Sequence, residues 1–118
     1  MDIDAAARLI DTYYNILDKE RHKLPQVYRE TSAIVYQGQP FSGPAFAHFY
    51  ASMPITRHSM QSYDCHQMAE GGMLLTSSGW LRLADEKEMH GFAQSFVLHR
   101  EQPSGHVFIA SDTFRLVS

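Results

Sequence analysis

In the second half of this chain large apolar residues stand side by side: Trp80 next to Leu81, Phe96 next to Val97, and Phe108 next to Ile109. The segments that carry them read as strands, and successive strand residues project to opposite faces. The sheet they build is therefore apolar on both sides. A polypeptide of 118 residues is one domain in size and buries about two-thirds of the surface its unfolded chain exposes. It has room for only a few helices, and these cover one face. What covers the other face is the question the sequence poses.

The first half supplies the helices. Ile3, Ala6, Ile10, Tyr13 and Leu17 recur at spacings of three and four, the stripe of an amphipathic helix, with Asp2 or Asp4 placed to cap it. It should fade between residues 19 and 24. A second helical turn is expected over residues 25–30, with Pro25 at its start. The β-branched and aromatic run Ala33-Ile-Val-Tyr36 reads as a strand, Phe41 as a very short one. A third helix over residues 44–53 presents Phe46, Phe49, Tyr50 and Met53, and Pro54 ends it.

Four long strands follow, over residues 58–68, 73–83, 92–100 and 107–117, separated by turns and by a charged loop at 84–89. In the second, Trp80 and Arg82 oppose Leu81 and Leu83. In the third, Phe92, Gln94, Phe96 and Leu98 oppose Ala93, Ser95, Val97 and His99. Short connections imply an antiparallel meander, and the element order implies an α+β domain spanning residues 1–118. The second sheet face mixes aromatics with Ser, Gln and Arg, a composition that suits a protein–protein interface. The alternative, in which sheet twist shields part of this face and the rest stays exposed, remains open. Within the last strand Asp112 and Arg115 interrupt an otherwise apolar run. If another protein covers that face, Arg115 is a recognition residue.

Composition narrows the function. The net charge of −3 and the lone basic cluster Arg21-His22-Lys23 do not support direct, strong nucleic-acid binding. One cysteine, Cys65, excludes an intramolecular disulfide and fits a reducing compartment. No stretch approaches the ~20 apolar residues of a membrane helix, and the acidic start Met-Asp-Ile-Asp is not a secretory signal. The histidines are scattered, with neither Cys-x-x-Cys nor His-x-x-x-His, so neither a metal site nor a cofactor is expected. For catalysis the residues to weigh are Tyr13 or Tyr14 with Asp64, His66 and His90, since an Asp beside Tyr can act as a general base with a hydrogen-bond donor. Tyr13 and Tyr14 are better read as core residues of the first helix, and no active site is expected.

Four segments, in order, resemble the nuclear transport factor 2 family. Thr12-Tyr-Tyr-Asn-Ile-Leu-Asp18 is similar to its first-helix motif. Tyr36-Gln-Gly-Gln-Pro-Phe-Ser-Gly43 is similar to its aromatic-x-Gly-x-x-x-x-Gly turn. Phe92-Ala-Gln-Ser-Phe96 resembles its Phe-x-Gln-x-Phe strand, and Ile109-Ala-Ser-Asp-Thr-Phe-Arg115 the last strand of its mRNA-export branch. The resemblance implies a cystatin-like cone, a strongly bent antiparallel sheet packed against three helices. It also implies a small, non-enzymatic subunit that pairs, through the outer sheet face, with the large mRNA export receptor (TAP in animals, Mex in fungi). As a heterodimer the two would engage nucleoporin Phe-Gly repeats at the nuclear pore, moving between nucleus and cytoplasm.

In that branch the arginine of the last strand pairs with an aspartate of the large receptor, and Arg115 stands at its position. Gln94, Phe96, Asp112 and Phe114 are further candidate partner-binding residues. The import branch instead holds Ran-GDP through acidic residues. Here one such position is the neutral Gln37, and in the 84–89 loop Asp85 keeps one acid while Lys87 replaces another. A carboxylate exchanged for lysine suppresses a wrong partner, so weak or no Ran binding is expected. A homodimeric Ran-GDP carrier and a cone-fold enzyme or small-molecule binder remain as rival readings.

Overall fold

The first helix, α1 (Ile3–Lys19), starts where Asp2 accepts a hydrogen bond from the Ala5 amide at 2.7 Å, a side-chain N-cap. The computed structural model describes residues 2–69 and 71–118. A 3₁₀ turn (Arg21–Gln26) follows, then strands β1 (Tyr28–Tyr36) and β2 (Gln39–Ser42), helix α2 (Gly43–Ala51), and β3 (Thr56–Gln67), β4 (Met73–Leu83), β5 (His90–Arg100) and β6 (Val107–Leu116). Ser42 caps α2 through the Ala45 amide at 3.2 Å. The fold is the expected α+β one, three helices on a bent sheet.

Two elements differ from expectation by several residues. The second helical turn ends at Gln26, and β1 begins at Tyr28 rather than Ala33. The reason is non-local: the Val27 carbonyl already accepts from the Ile109 amide of β6 at 2.8 Å, so the chain has joined the sheet there. The sheet order is β2-β1-β6-β5-β4-β3, and β1 lies parallel to β6 while the other pairs are antiparallel. The meander is thus extended by one parallel pairing, because the crossover through α2 returns the last strand beside the first.

Irregularities bend the sheet. The register shifts between Met60 and Ser62 in β3, and between Val97 and Leu98 against β6, where Ile109 and Ser111 are two steps apart but their partners only one. Such bulges add local bend and twist. The concave face closes on the helices. Leu75, Leu81, Phe92, Phe96, Leu98, Ile109 and Phe114 pack with Ala6, Ile10, Tyr13 and Leu17 of α1 and Phe46 and Tyr50 of α2. Arg21 joins the helices at the wide end. Its guanidinium donates to the carbonyls of Leu17, Tyr50, Met53 and Pro54, satisfying helix-end acceptors and lying over the Tyr50 ring.

Gly79 marks where the β3 bulge presses on β4. A Cβ at this position would run into the Ser59 carbonyl oxygen. Gly79→Ala should therefore destabilise the domain by about 1–3 kcal/mol, the usual range for overpacking. The check is a lower urea midpoint at an unchanged m-value. An unchanged midpoint would mean that β3 moves away freely.

Candidate protein–protein interface

The strand pairing sorts every candidate by face. On β5, Phe92, Gln94, Phe96 and Leu98 point into the cone and are buried, as are Asp112 and Phe114 on β6. Of the five partner-binding candidates, Arg115 alone reaches the outer surface. Gln94, Phe96, Asp112 and Phe114 are interior residues in this chain and are not available to a docked protein. Phe96 and Phe114 belong to the aromatic packing, with Phe114 stacked on Tyr36 and Phe92.

Asp112 and Gln94 hold the interior polar cluster. Oδ2 of Asp112 accepts from Tyr28 at 2.7 Å and from Tyr13 at 2.9 Å, and Oδ1 accepts from Gln94 Nε2 at 2.7 Å. Gln94 Oε1 accepts from Tyr14 at 2.8 Å, and Tyr14 also meets Ser77 Oγ at 2.7 Å. Burial pushes the Asp112 carboxyl above its ordinary range, against the three hydrogen bonds that favour its charged form. Burial and the nearby Asp112 carboxylate also raise Tyr13 and Tyr28. Among the described residues no buried side-chain nitrogen or oxygen lacks a partner. The cluster therefore aims nothing outward at a ligand. The other catalytic candidates do not converge on it: Asp64 and His66 are exposed on β3, and His90 lies 3.4 Å from Glu86 at the β4–β5 loop. Among the described residues no group of three or more His, Cys, Asp or Glu could hold a metal ion.

The outer face is a plain of small residues. Ser59 and Ser62 of β3, Thr76 and Ser78 of β4, Gly91, Ala93 and Ser95 of β5, and Ser111 and Thr113 of β6 occupy the outward register positions. Trp80 rises from it, 43 % exposed, flanked by Ser59 and by Gly91, which Val117 and Ser118 cover. Val35 of β1 is also exposed, and Leu74 and Val97 are half-buried. Arg115 lies beside Ala93, and no carboxylate among the described residues is within ion-pair distance of it. Its guanidinium reaches toward the β1–β2 turn, where a Cβ on Gly38 would stand 3.5 Å from Nη2. Gln37 fixes that turn: its Oε1 accepts from the Leu116 amide at 2.8 Å and its own amide donates to the Phe114 carbonyl at 3.0 Å. Small residues let a second sheet approach, and Trp and Arg are the residues that anchor interfaces. Alternation along β4 puts Trp80 and Arg82 on one face from sequence alone, whereas only the β3–β4 register sets Arg57 opposite Arg82.

This geometry has known counterparts. The profile of the nuclear transport factor 2 (NTF2) domain matches residues 5–116. The chain belongs to the NTF2 domain family. It is 31 % identical to an NTF2-related export protein of Caenorhabditis elegans, over 93 % of this chain and 84 % of that one. It is 33 % identical to nuclear transport factor 2 of rice, over 98 % of each. The nuclear transport factor 2 structure from Cryptosporidium parvum superposes with a TM-score of 0.85 at 21 % identity, covering 94 % of this chain and 90 % of that one. The NTF2-like, cystatin-like cone is therefore its fold. The first two relatives bear the names of transport factors, one from each branch.

The interior cluster predicts a substitution pattern and a pH dependence. Asp112→Ala leaves Tyr13, Tyr28 and Gln94 short of an acceptor and should cost about 3 kcal/mol or more. Asp112→Asn should cost about 1 kcal/mol, because Gln94 can turn its amide over, accept from the new Nδ2 and donate to Tyr14. With a raised folded pKa, the native state holds the Asp112 proton more tightly than the unfolded chain does. That contribution is fully present below the unfolded value of 3.8 and is lost as pH rises through the folded value. The stability difference between wild type and Asp112→Asn should thus fall as pH rises from below 4, then level off; urea melts across pH test this. A rising difference would mean the hydrogen bonds outweigh burial.

Proposed function

We propose that this NTF2-family protein is the small, non-enzymatic subunit of a heterodimeric nuclear mRNA export receptor, shuttling between nucleus and cytoplasm. It docks through its outer sheet face onto the similar domain of the large receptor, and the pair presents a surface for nucleoporin Phe-Gly repeats. The observation that carries this reading is Arg115, which is exposed on the same face as Trp80 and has no ion-pair partner among the described residues. An arginine in such a setting forms an oriented, bidentate pair with a partner carboxylate. The worm export protein supports the reading by its similarity over nearly the whole chain.

A second reading, a homodimeric carrier of Ran-GDP, draws on the exposed acids Asp85, Glu86 and Glu88 of the β4–β5 loop and on the similarity to the rice protein. Neutral Gln37, engaged with the end of β6, and the exposed Lys87 favour the export reading. Affinity purification from the source cell separates the two: a large receptor is expected, and recovery of Ran in its place overturns the proposal.

Arg115→Ala should weaken the heterodimer by about 2–5 kcal/mol, chiefly through faster dissociation. The isolated chain should keep its stability within about 0.5 kcal/mol, since the side chain is exposed. Titration calorimetry and thermal melts read the two effects, and an unchanged heterodimer affinity sinks the role given to Arg115.

A further inference from the structure

Arg57 of β3 and Arg82 of β4 are direct cross-strand partners, and both are exposed on the outer face. Like charges set opposite each other in this way destabilise a strand pair. Among the described residues no carboxylate is within ion-pair distance of either guanidinium. Asp85, Glu86 and Lys87 line the same shallow concavity, but Glu86 lies against His90 and Lys87 adds a third cation. Two residues along β4 from Arg82 stands the exposed Trp80, opposite Ser59.

Across the outward positions of β3 to β6 the charges are three arginines, Arg57, Arg82 and Arg115, against one carboxylate, Asp64. Arg115 lies on β6, on the far side of β5 from the arginine pair. An isologous dimer buries the same patch of both copies. Self-pairing through this face would set one cationic surface against another, and like-charge juxtaposition suppresses a partner.

We infer that the Arg57–Arg82 pair is a second recognition point on the sheet face, one that selects a different polypeptide with carboxylates on its own sheet face and rejects a second copy of this chain. The inference rests on the heterodimer reading above and names the charge its partner must carry at a place distinct from Arg115. The two anchors fix the partner's position and rotation together, with Trp80 between them as the apolar contact.

The test uses the purified chain and the NTF2-like domain of the large mRNA export receptor from the same organism. Arg57→Ser with Arg82→Ser should weaken binding at least about tenfold and flatten its dependence on salt. Arg57→Glu alone gives Arg82 a cross-strand partner, so it should raise the melting temperature of the free chain while weakening the complex. The wild-type chain alone should sediment as a monomer. If the wild type binds the receptor domain and these variants bind it equally well, the inference fails and the export reading stands. If the wild type does not bind that domain at all, the export reading fails and the inference falls with it. A wild-type chain that self-associates through the sheet face, or that binds a short single-stranded RNA through these two arginines, also overturns it.

Discussion

The carboxylate of Asp112 is where four parts of the fold meet. Tyr13 reaches it from α1, Tyr28 from the start of β1 and Gln94 from β5, while β6 carries it. The apolar core alone leaves α1 free to slide or turn within the cone, because hydrophobic contact is non-directional. Hydroxyl and amide donors converging on two oxygens remove that freedom. A second polar tie works at the C-terminal end of α1: Asp18 accepts from the Thr56 hydroxyl, the His58 amide and His58 Nδ1, and Tyr50 of α2 donates to the same Thr56. The C-terminal half of α1 is thus pinned to the sheet at two levels, about one turn apart, and among the described residues no buried side-chain nitrogen or oxygen is left without a partner.

The interior tie also determines the exterior. Side chains alternate along β6 after its bulge, so an inward Asp112 and an inward Phe114 force Thr113 and Arg115 outward. Gln94 does the same for β5, where Ala93 and Ser95 become part of the outer plain. A one-residue slip of β6 would bury the Arg115 guanidinium unpaired in an aromatic core and strip Asp112 of its hydrogen bonds. Arg115 is therefore held at the surface by a carboxylate on the opposite side of the sheet.

Much of this was legible in the sequence, and what was not has identifiable causes. The helical stripe from Ile3 to Leu17 with its Asp2 cap, the turns and the alternation of β5 follow from local chemistry and appear as expected. β6 defeats parity because the extra residue between Ile109 and Ser111 switches faces mid-strand. Strict alternation from the buried Ile109 would send Arg115 inward and Asp112 outward, the reverse of what is found. Tyr28 was hidden for another reason: its strand begins early only because β6, some eighty residues away, offers a partner. Assigning Asp112 and Gln94 to the surface followed from their polarity, and polarity is a poor guide where two tyrosines supply donors from elsewhere in the chain.

The distribution of satisfied and unsatisfied groups says where function resides. A cone built for chemistry keeps a polar atom aimed at a space that substrate can enter. In this one the Asp112 oxygens, the Gln94 amide and the Tyr14 hydroxyl are all engaged by neighbours within the chain. Among the described residues, arginines without an ion-pair partner stand on the other side of the sheet: Arg57, Arg82 and Arg115, around an exposed tryptophan and a floor of serine, threonine and alanine. A hydrated guanidinium costs little while it stands in water. Its capacity for oriented pairing is realised only when a second surface excludes that water and supplies a carboxylate. The buried polar groups satisfy one another among the described residues, whereas the arginines of the outer face have no ion-pair partner there, and it is on this contrast that the proposed association through the sheet face rests.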